Sequence, residues 1–177
     1  MKILDELLPG CYLIQPFVFE DARGAFVKTY HEGQCEALGI PLQMREEFYS
    51  VSLRGVVRGM HFQLPPHDHD KLVYCPTGAV RDVLLDLRRG PGFGKVASVE
   101  LSGSNRLQMF IPKGIAHGFL SLQDASLMVY KTTTVHAPES DAGIRWDSFG
   151  FDWGSAGPSL SQRDANHPAL SDFDSPF

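Results

Sequence analysis

Residues 55–75 read GVVRGMHFQLPPHDHDKLVYC: two apolar runs joined by a turn with two prolines, two histidines and two aspartates. The flanking runs, VVRGMHFQ and KLVYC, are rich in β-branched and aromatic residues, and Pro65 and Pro66 bar a helix from running through them. The stretch therefore reads as strand, turn, strand. The same pattern extends both ways through YLIQPFVF, EFYSVS, AVRDVLLDL, KVASVELS, RLQMFIP, GFLSL and SLMVYKTTTV, with breaks at 9–10, 21–24, 39–41, 77–78, 89–94, 103–105 and 112–114. Short strands at this spacing predict an all-β core. A sandwich of two sheets suits them, because it buries one face of each sheet and leaves an open end for a ligand. Helix is expected only over 31–38 (HEGQCEAL) and in a segment after Ser159.

A chain of 177 residues, 43% hydrophobic and 21% charged, predicts one domain over 1–177. A net charge of −5 and a pI near 5.7 give no footprint for nucleic acid. No apolar run is long enough to span a bilayer, and MKILDELLPG carries two acids and a proline where a signal peptide needs an apolar core. A cytoplasmic protein that neither enters nor binds a membrane is expected. Cys11, Cys35 and Cys75 are odd in number and far apart, which predicts free thiols.

The histidines divide into two sets. His67-Asp68-His69 and PKGIAH at 112–117 resemble the two metal-site motifs of cupin jelly rolls. However, the pair sits in a Pro-rich turn, no glutamate follows at ligand spacing, and Lys71 is a poor neighbour for a cation. No metal is expected, and His67 and His69 are read as an exposed polar turn. His61, in contrast, lies on a predicted strand with apolar neighbours. Imidazole titrates near neutrality, so it is a natural proton acceptor there. Arg58, Lys71, His117 and Tyr130 fall on other predicted strands of the same core. A cavity with those groups calls for an anionic, oxygen-rich ligand.

The segments FEDARGAFVKTY (19–30), GVVRGMHFQ (55–63), KLV (71–73), GAVRDVLLDLR (78–88), IPKGIAHGF (111–119), MVYK (128–131), DAGIRW (141–146) and LSQRDANHP (160–168) resemble, in order, those of the dTDP-4-dehydrorhamnose 3,5-epimerase family. The resemblance implies a cupin-like double-stranded β-helix, a homodimer, no cofactor, and a nucleotide-diphospho-4-keto-6-deoxyhexose substrate. It assigns His61 as base, Asp164 as its carboxylate partner, Tyr130 as the acid on the opposite face and Lys71 as the cation at the C4 oxygen. Arg23 and Arg58 match diphosphate contacts, with Arg23 reaching into the partner's site. His117, Asp141 and Arg163 match further substrate contacts. Where the family carries a Glu, a Gln, an Asn and a Tyr that contact the nucleoside, this sequence has Lys28, Glu46, Phe48 and His136. A lysine cannot accept the N3 hydrogen of thymine but can donate to cytosine, which raises a CDP-linked sugar as substrate. The other readings are an epimerase of a CDP-linked 4-keto-3,6-dideoxyhexose acting at C5 alone, a metal-binding cupin, and a sugar-nucleotide-binding protein without activity.

One geometric expectation follows. Arg58 and His61 are an odd number of residues apart, so a regular strand would point them to opposite faces. If both face the ligand, the period must break between them, and Gly59 is the expected site of a β-bulge.

Overall fold

The computed structural model describes residues 1–40 and 42–177. The break expected at 39–41 ends on Pro41, outside the described residues. Two antiparallel sheets face one another. The six-stranded sheet runs β1 (Lys2–Leu8), β2 (Cys11–Gln15), β10 (Gln108–Ile111), β7 (Lys71–Thr77), β12 (Ser126–Thr132), β5 (Glu46–Ser52). The five-stranded sheet runs β13 (Asp141–Gly143), β6 (Val57–Gln63), β11 (Ile115–Ser121), β8 (Ala79–Asp86), β9 (Val96–Ser102). A separate hairpin of β3 (Phe17–Asp21) and β4 (Gly24–Lys28) projects from the body. This is the expected jelly roll.

Between the sheets lies an apolar core that includes Leu13, Val73, Leu84, Leu101, Met109, Ile115, Phe119 and Met128. A second layer covers the outer face of the five-stranded sheet, where Val57, Met60, Phe62, Val83 and Leu85 pack under Ile144 and Trp153 of the C-terminal segment. Strand β8 is therefore buried on both faces, which is why AVRDVLLDL reads as almost continuously apolar. Burial of this kind contributes about 1.5–3 kcal/mol per large side chain, so the C-terminal cover is part of the fold.

The run YLIQPFVF splits at Pro16, whose missing N–H ends one strand before the next begins. Strand β1, in KILDELL, was not expected. Its two acids suit an exposed edge, and pairing with β2 holds it. Helix α1 (Glu32–Ala37) falls within 31–38, and the His31 imidazole accepts the Gln34 N–H as its N-cap. The segment after Ser159 contains α2 (Gln162–Ala165), capped by the Ser161 side chain. Among the described residues no helix is long and apolar enough to cross a membrane, and all three cysteines are buried free thiols.

Strand β6 bulges at the expected place. His117 pairs with His61, but Phe119, two residues on, pairs with Arg58, three residues back. One extra residue therefore sits on β6, and Arg58 and His61 face the same way. Gly59 has φ +134, and a Cβ there would stand 2.5 Å from Gly118 Cα, so only glycine fits.

Candidate active site

The site is assembled at one end of the sandwich from both sheets. The five-stranded sheet supplies Arg58, His61 and His117, with His61 directly across from His117. The six-stranded sheet supplies Lys71 and Tyr130, with Thr132 opposite Lys71 and Phe48 opposite Tyr130. Two chambers of about 220 Å³ each share His61, Lys71 and Phe48 as a common wall. One is lined further by Ser50, Arg58, His117, Phe119 and Tyr130. The other is lined by Glu46, Gln63, His69, Thr132, His136, Asp141 and Arg163.

His61 Nε2 lies 2.8 Å from Asp164 Oδ1, and the buried carboxylate takes the Gly59 N–H on its other oxygen at 3.2 Å. The bulge thus turns a backbone donor onto Asp164. Burial alone would raise this carboxyl, but the hydrogen bond and charge of His61 and the Gly59 N–H outweigh it and hold it at about 2. An ionised Asp164 keeps the hydrogen of His61 on Nε2. That leaves Nδ1, which has no partner among the described residues, as the free lone pair.

Lys71 is 7% exposed, and its Nζ donates to the His61 carbonyl at 3.1 Å. Burial pulls its ammonium down to about 8, with Asp141 and Asp82 opposing, so it is still mostly charged at neutral pH. Burial pushes the Tyr130 phenol well above its ordinary value, so it keeps its proton. His117 is locked by Asp82, with Nε2 to Oδ2 at 2.6 Å and both side chains buried. Arg58 is anchored through Nε to Ser52 Oγ at 3.0 Å. In the second chamber Arg163 pairs with Asp141 at 2.8 Å, and Glu46 accepts the His136 backbone N–H at 2.7 Å.

Arg23, expected to reach a partner's site, and Lys28, expected at the nucleoside, both lie away from the two chambers. Arg23 is at the tip of the β3–β4 hairpin, its side chain 87% exposed and bound to Asp21. Lys28 ends β4 opposite Phe17 and is absent from both chamber walls. Strands β3 and β4 form a sheet of their own and hold both residues away from the two chambers, so one chain alone does not bring them to the site.

Of the turn histidines, His69 needs correction. The His67 side chain stays 41% exposed, as expected of a polar turn, but His69 faces the cavity, where Gln63 ties the loop down. Its amide nitrogen donates to the His67 carbonyl at 2.7 Å, and its oxygen accepts the Ala137 N–H at 2.7 Å. His69 lines the chamber, and burial with Lys71 beside it pulls its imidazole down to about 3, so it is neutral. Sequence reasoning also missed Asp82 and His167. Asp82 was visible as an acid on the inward phase of β8, between Val80 and Leu84. His167 stands edge-on to His61, with ring centroids 5.7 Å apart, and nothing in the sequence places it there.

His61, Asp164 and His167 are the one group of potential metal ligands found among the described residues, with donor atoms within 4.8 Å of one another. Asp164 already gives one oxygen to His61 and the other to Gly59, and Lys71 adds positive charge next to His61. Both Asp164 oxygens are thus engaged, although His167 Nε2 is buried without a hydrogen-bond partner, and a neighbouring ammonium is unfavourable for a cation.

An acid–base pair, a buried ammonium and a protonated phenol around one cavity suit proton transfer at carbon next to a carbonyl. The model of the dTDP-4-dehydrorhamnose 3,5-epimerase family matches residues 5–172. The Pseudomonas aeruginosa dTDP-4-dehydrorhamnose 3,5-epimerase is 40% identical over 179 residues, covering 98% of each chain. The Bacillus anthracis enzyme of that name, solved with TDP and PPi bound, superimposes with a TM-score of 0.93 at 32% identity, over 95% of this chain and 98% of that one. The Legionella pneumophila epimerase in complex with dTDP-4-keto-L-rhamnose gives 0.92 at 35% identity, over 98% and 94%. On its sequence, its fold and the length over which both agree, the chain belongs to the dTDP-4-dehydrorhamnose 3,5-epimerase family.

Proposed function

We propose that the chain, acting as one domain over 1–177, is a cofactor-independent isomerase. It would epimerise a nucleotide-diphospho-4-keto-6-deoxyhexose at C3 and C5 through an enolate. The observation that carries this reading is the His61–Asp164 pair facing Lys71 and Tyr130 across a single cavity. A hydrogen on a carbon next to the C4 ketone is weakly acidic. His61 Nδ1 takes it, the electron pair of that C–H bond passes to the C4 oxygen, and the ion pair with Asp164 stabilises the imidazolium. Charge develops on the C4 oxygen, where the Lys71 ammonium is a fixed donor. Removal of one such donor typically lowers kcat by about 100- to 1,000-fold. Tyr130 then gives its proton to the opposite face of the carbon. The phenolate is reprotonated and His61 deprotonated by solvent, which closes the cycle.

Arg58 suits the diphosphate, since a guanidinium offers paired planar donors to phosphate oxygens. His117, Asp141, Arg163, Glu46 and His136 would meet the rest of the substrate. Arg23 and Lys28 can serve a site only across a homodimer. The hairpin's exposed Phe17, Phe19 and Phe26, the exposed Tyr49 and Val51 of the sheet-edge strand β5, and Leu53 just beyond it favour such a partner. Three unpaired thiols fit a cytoplasmic setting. The test is incubation with a dTDP-linked 4-keto-6-deoxyhexose, reading the sugar's configuration by NMR. Inversion at C3 and C5 is expected. An unchanged sugar with both dTDP- and CDP-linked forms would overturn the reading.

A further inference from the structure

Tyr130 must hold its phenol over a carbon with a tolerance well under an ångström, yet no well-formed hydrogen bond fixes its oxygen. The Ser50 hydroxyl, two residues along β5 from Phe48, influences the phenol but has no hydrogen-bond partner of its own. Aromatic contacts hold the ring instead. On one side the His117 imidazole meets it edge-on, with centroids 5.9 Å apart and planes at 68°, and Asp82 fixes that imidazole in turn. On another, Phe48 stacks nearly parallel to it, with centroids 4.8 Å apart and planes at 14°. Phe48 stands directly across the β5–β12 pair from Tyr130. Such a cross-strand aromatic pair contributes about 0.5–1.5 kcal/mol beyond its buried area.

The two arms of this clamp differ. His117 is buried, whereas Phe48 is 46% exposed at the wall between the two chambers. A large apolar ring left half in water is poorly explained as core, and its stacked face is the one that meets Tyr130. We propose that Phe48 is a positioning residue for the acid, which keeps the Tyr130 phenol aimed at the substrate carbon and so sets how often the enolate is inverted rather than returned. This rests on the reading of Tyr130 as the acid. His61 removes the proton either way. When Tyr130 is in place, the opposite face is protonated and the centre inverts. When the phenol swings away, His61 delivers a solvent-exchanged hydron to the face it came from, and the original sugar is recovered with label.

The experiment runs the reaction in deuterium oxide and measures two quantities by NMR: the total rate of exchange at the epimerised carbons, and the ratio of inverted product to labelled starting sugar. In F48A the ratio is expected to fall at least about tenfold, the order of loss that follows from misplacing a reacting group by a fraction of an ångström. Total exchange, read at saturating substrate because Phe48 also lines both chambers, should fall clearly less than inversion does, and F48Y and F48W should restore the ratio. F48L keeps bulk without a stacking face and should behave like F48A. An unchanged ratio in F48A, exchange and inversion falling in parallel, or full rescue by F48L would each overturn the proposal. Y130F separates this from the underlying reading. If Y130F itself inverts normally, Tyr130 is not the acid; if Y130F fails to invert while F48A inverts as wild type, only the role of Phe48 falls.

Discussion

Replacing Asp164 by asparagine keeps size and shape but removes the charge that orients His61. The buried amide then has two settings, and each is poor. If its NH2 faces His61 Nε2, that nitrogen must accept, the ring hydrogen moves to Nδ1, and the lone pair that should meet substrate is gone. If its oxygen faces His61, its NH2 meets the Gly59 N–H, now 3.2 Å from Oδ2, donor against donor. The lost charge-assisted hydrogen bond, 2.8 Å long in the structure, is worth about 1.5–3 kcal/mol, and an unsatisfied buried donor costs about 1–3 kcal/mol. Together these raise the barrier by about 2.5–6 kcal/mol, or roughly 70- to 25,000-fold in kcat/KM. The assay is the initial rate of deuterium incorporation into the 4-keto sugar at pH 7, with a thermal melt to confirm folding. A folded D164N enzyme within fivefold of wild type would refute the reasoning.

Lys71 links catalysis to pH: it must be charged to stabilise the enolate, so kcat should fall as pH rises through about 8. Its depressed value also means that the folded chain releases this proton before the unfolded one, so its destabilising contribution is full below about 8 and is relieved as pH rises toward 10.5. Lys71→Met should therefore lose activity and yet be more stable at pH 7, by on the order of 2–3 kcal/mol, as read by denaturant titration. Gly59→Ala should destabilise by about 2 kcal/mol or more, because its Cβ would strike the Gly118 backbone, and should also detach Asp164; a melt and an exchange assay check both. A CDP-linked 4-keto-deoxyhexose should be turned over at least as well as the dTDP form. A dTDP preference that Lys28→Glu leaves unchanged would remove Lys28 from base selection.

The jelly roll was legible because its strands are short, β-rich and regularly punctuated, and periodicity reports that directly. Strand β1 was not, since Asp5 and Glu6 suppress its signal and only pairing with β2 makes it a strand. The bulge at Gly59 could be argued from parity alone, because two inward-facing residues three apart cannot share a face of a regular strand. The fate of His69 could not be read from its turn. It is Gln63, reaching across to the 134–137 segment, that folds the loop down beside the cavity. His167 enters through the packing of the C-terminal segment against β13, where an added Cβ on Gly143 would overlap its ring. Arg23 was expected from the resemblance to serve a partner's site, whereas Lys28 was assigned from motif order alone, and nothing in its spacing sets it apart from its own chain's cavity.

The central claim is that His61 takes the first proton. Wild-type enzyme in deuterium oxide with a nucleotide-linked 4-keto-6-deoxyhexose should place deuterium at C3 and C5, and His61→Asn, folded and still binding the nucleoside diphosphate, should place none at either carbon. Exchange in His61→Asn at a rate near wild type would contradict the account.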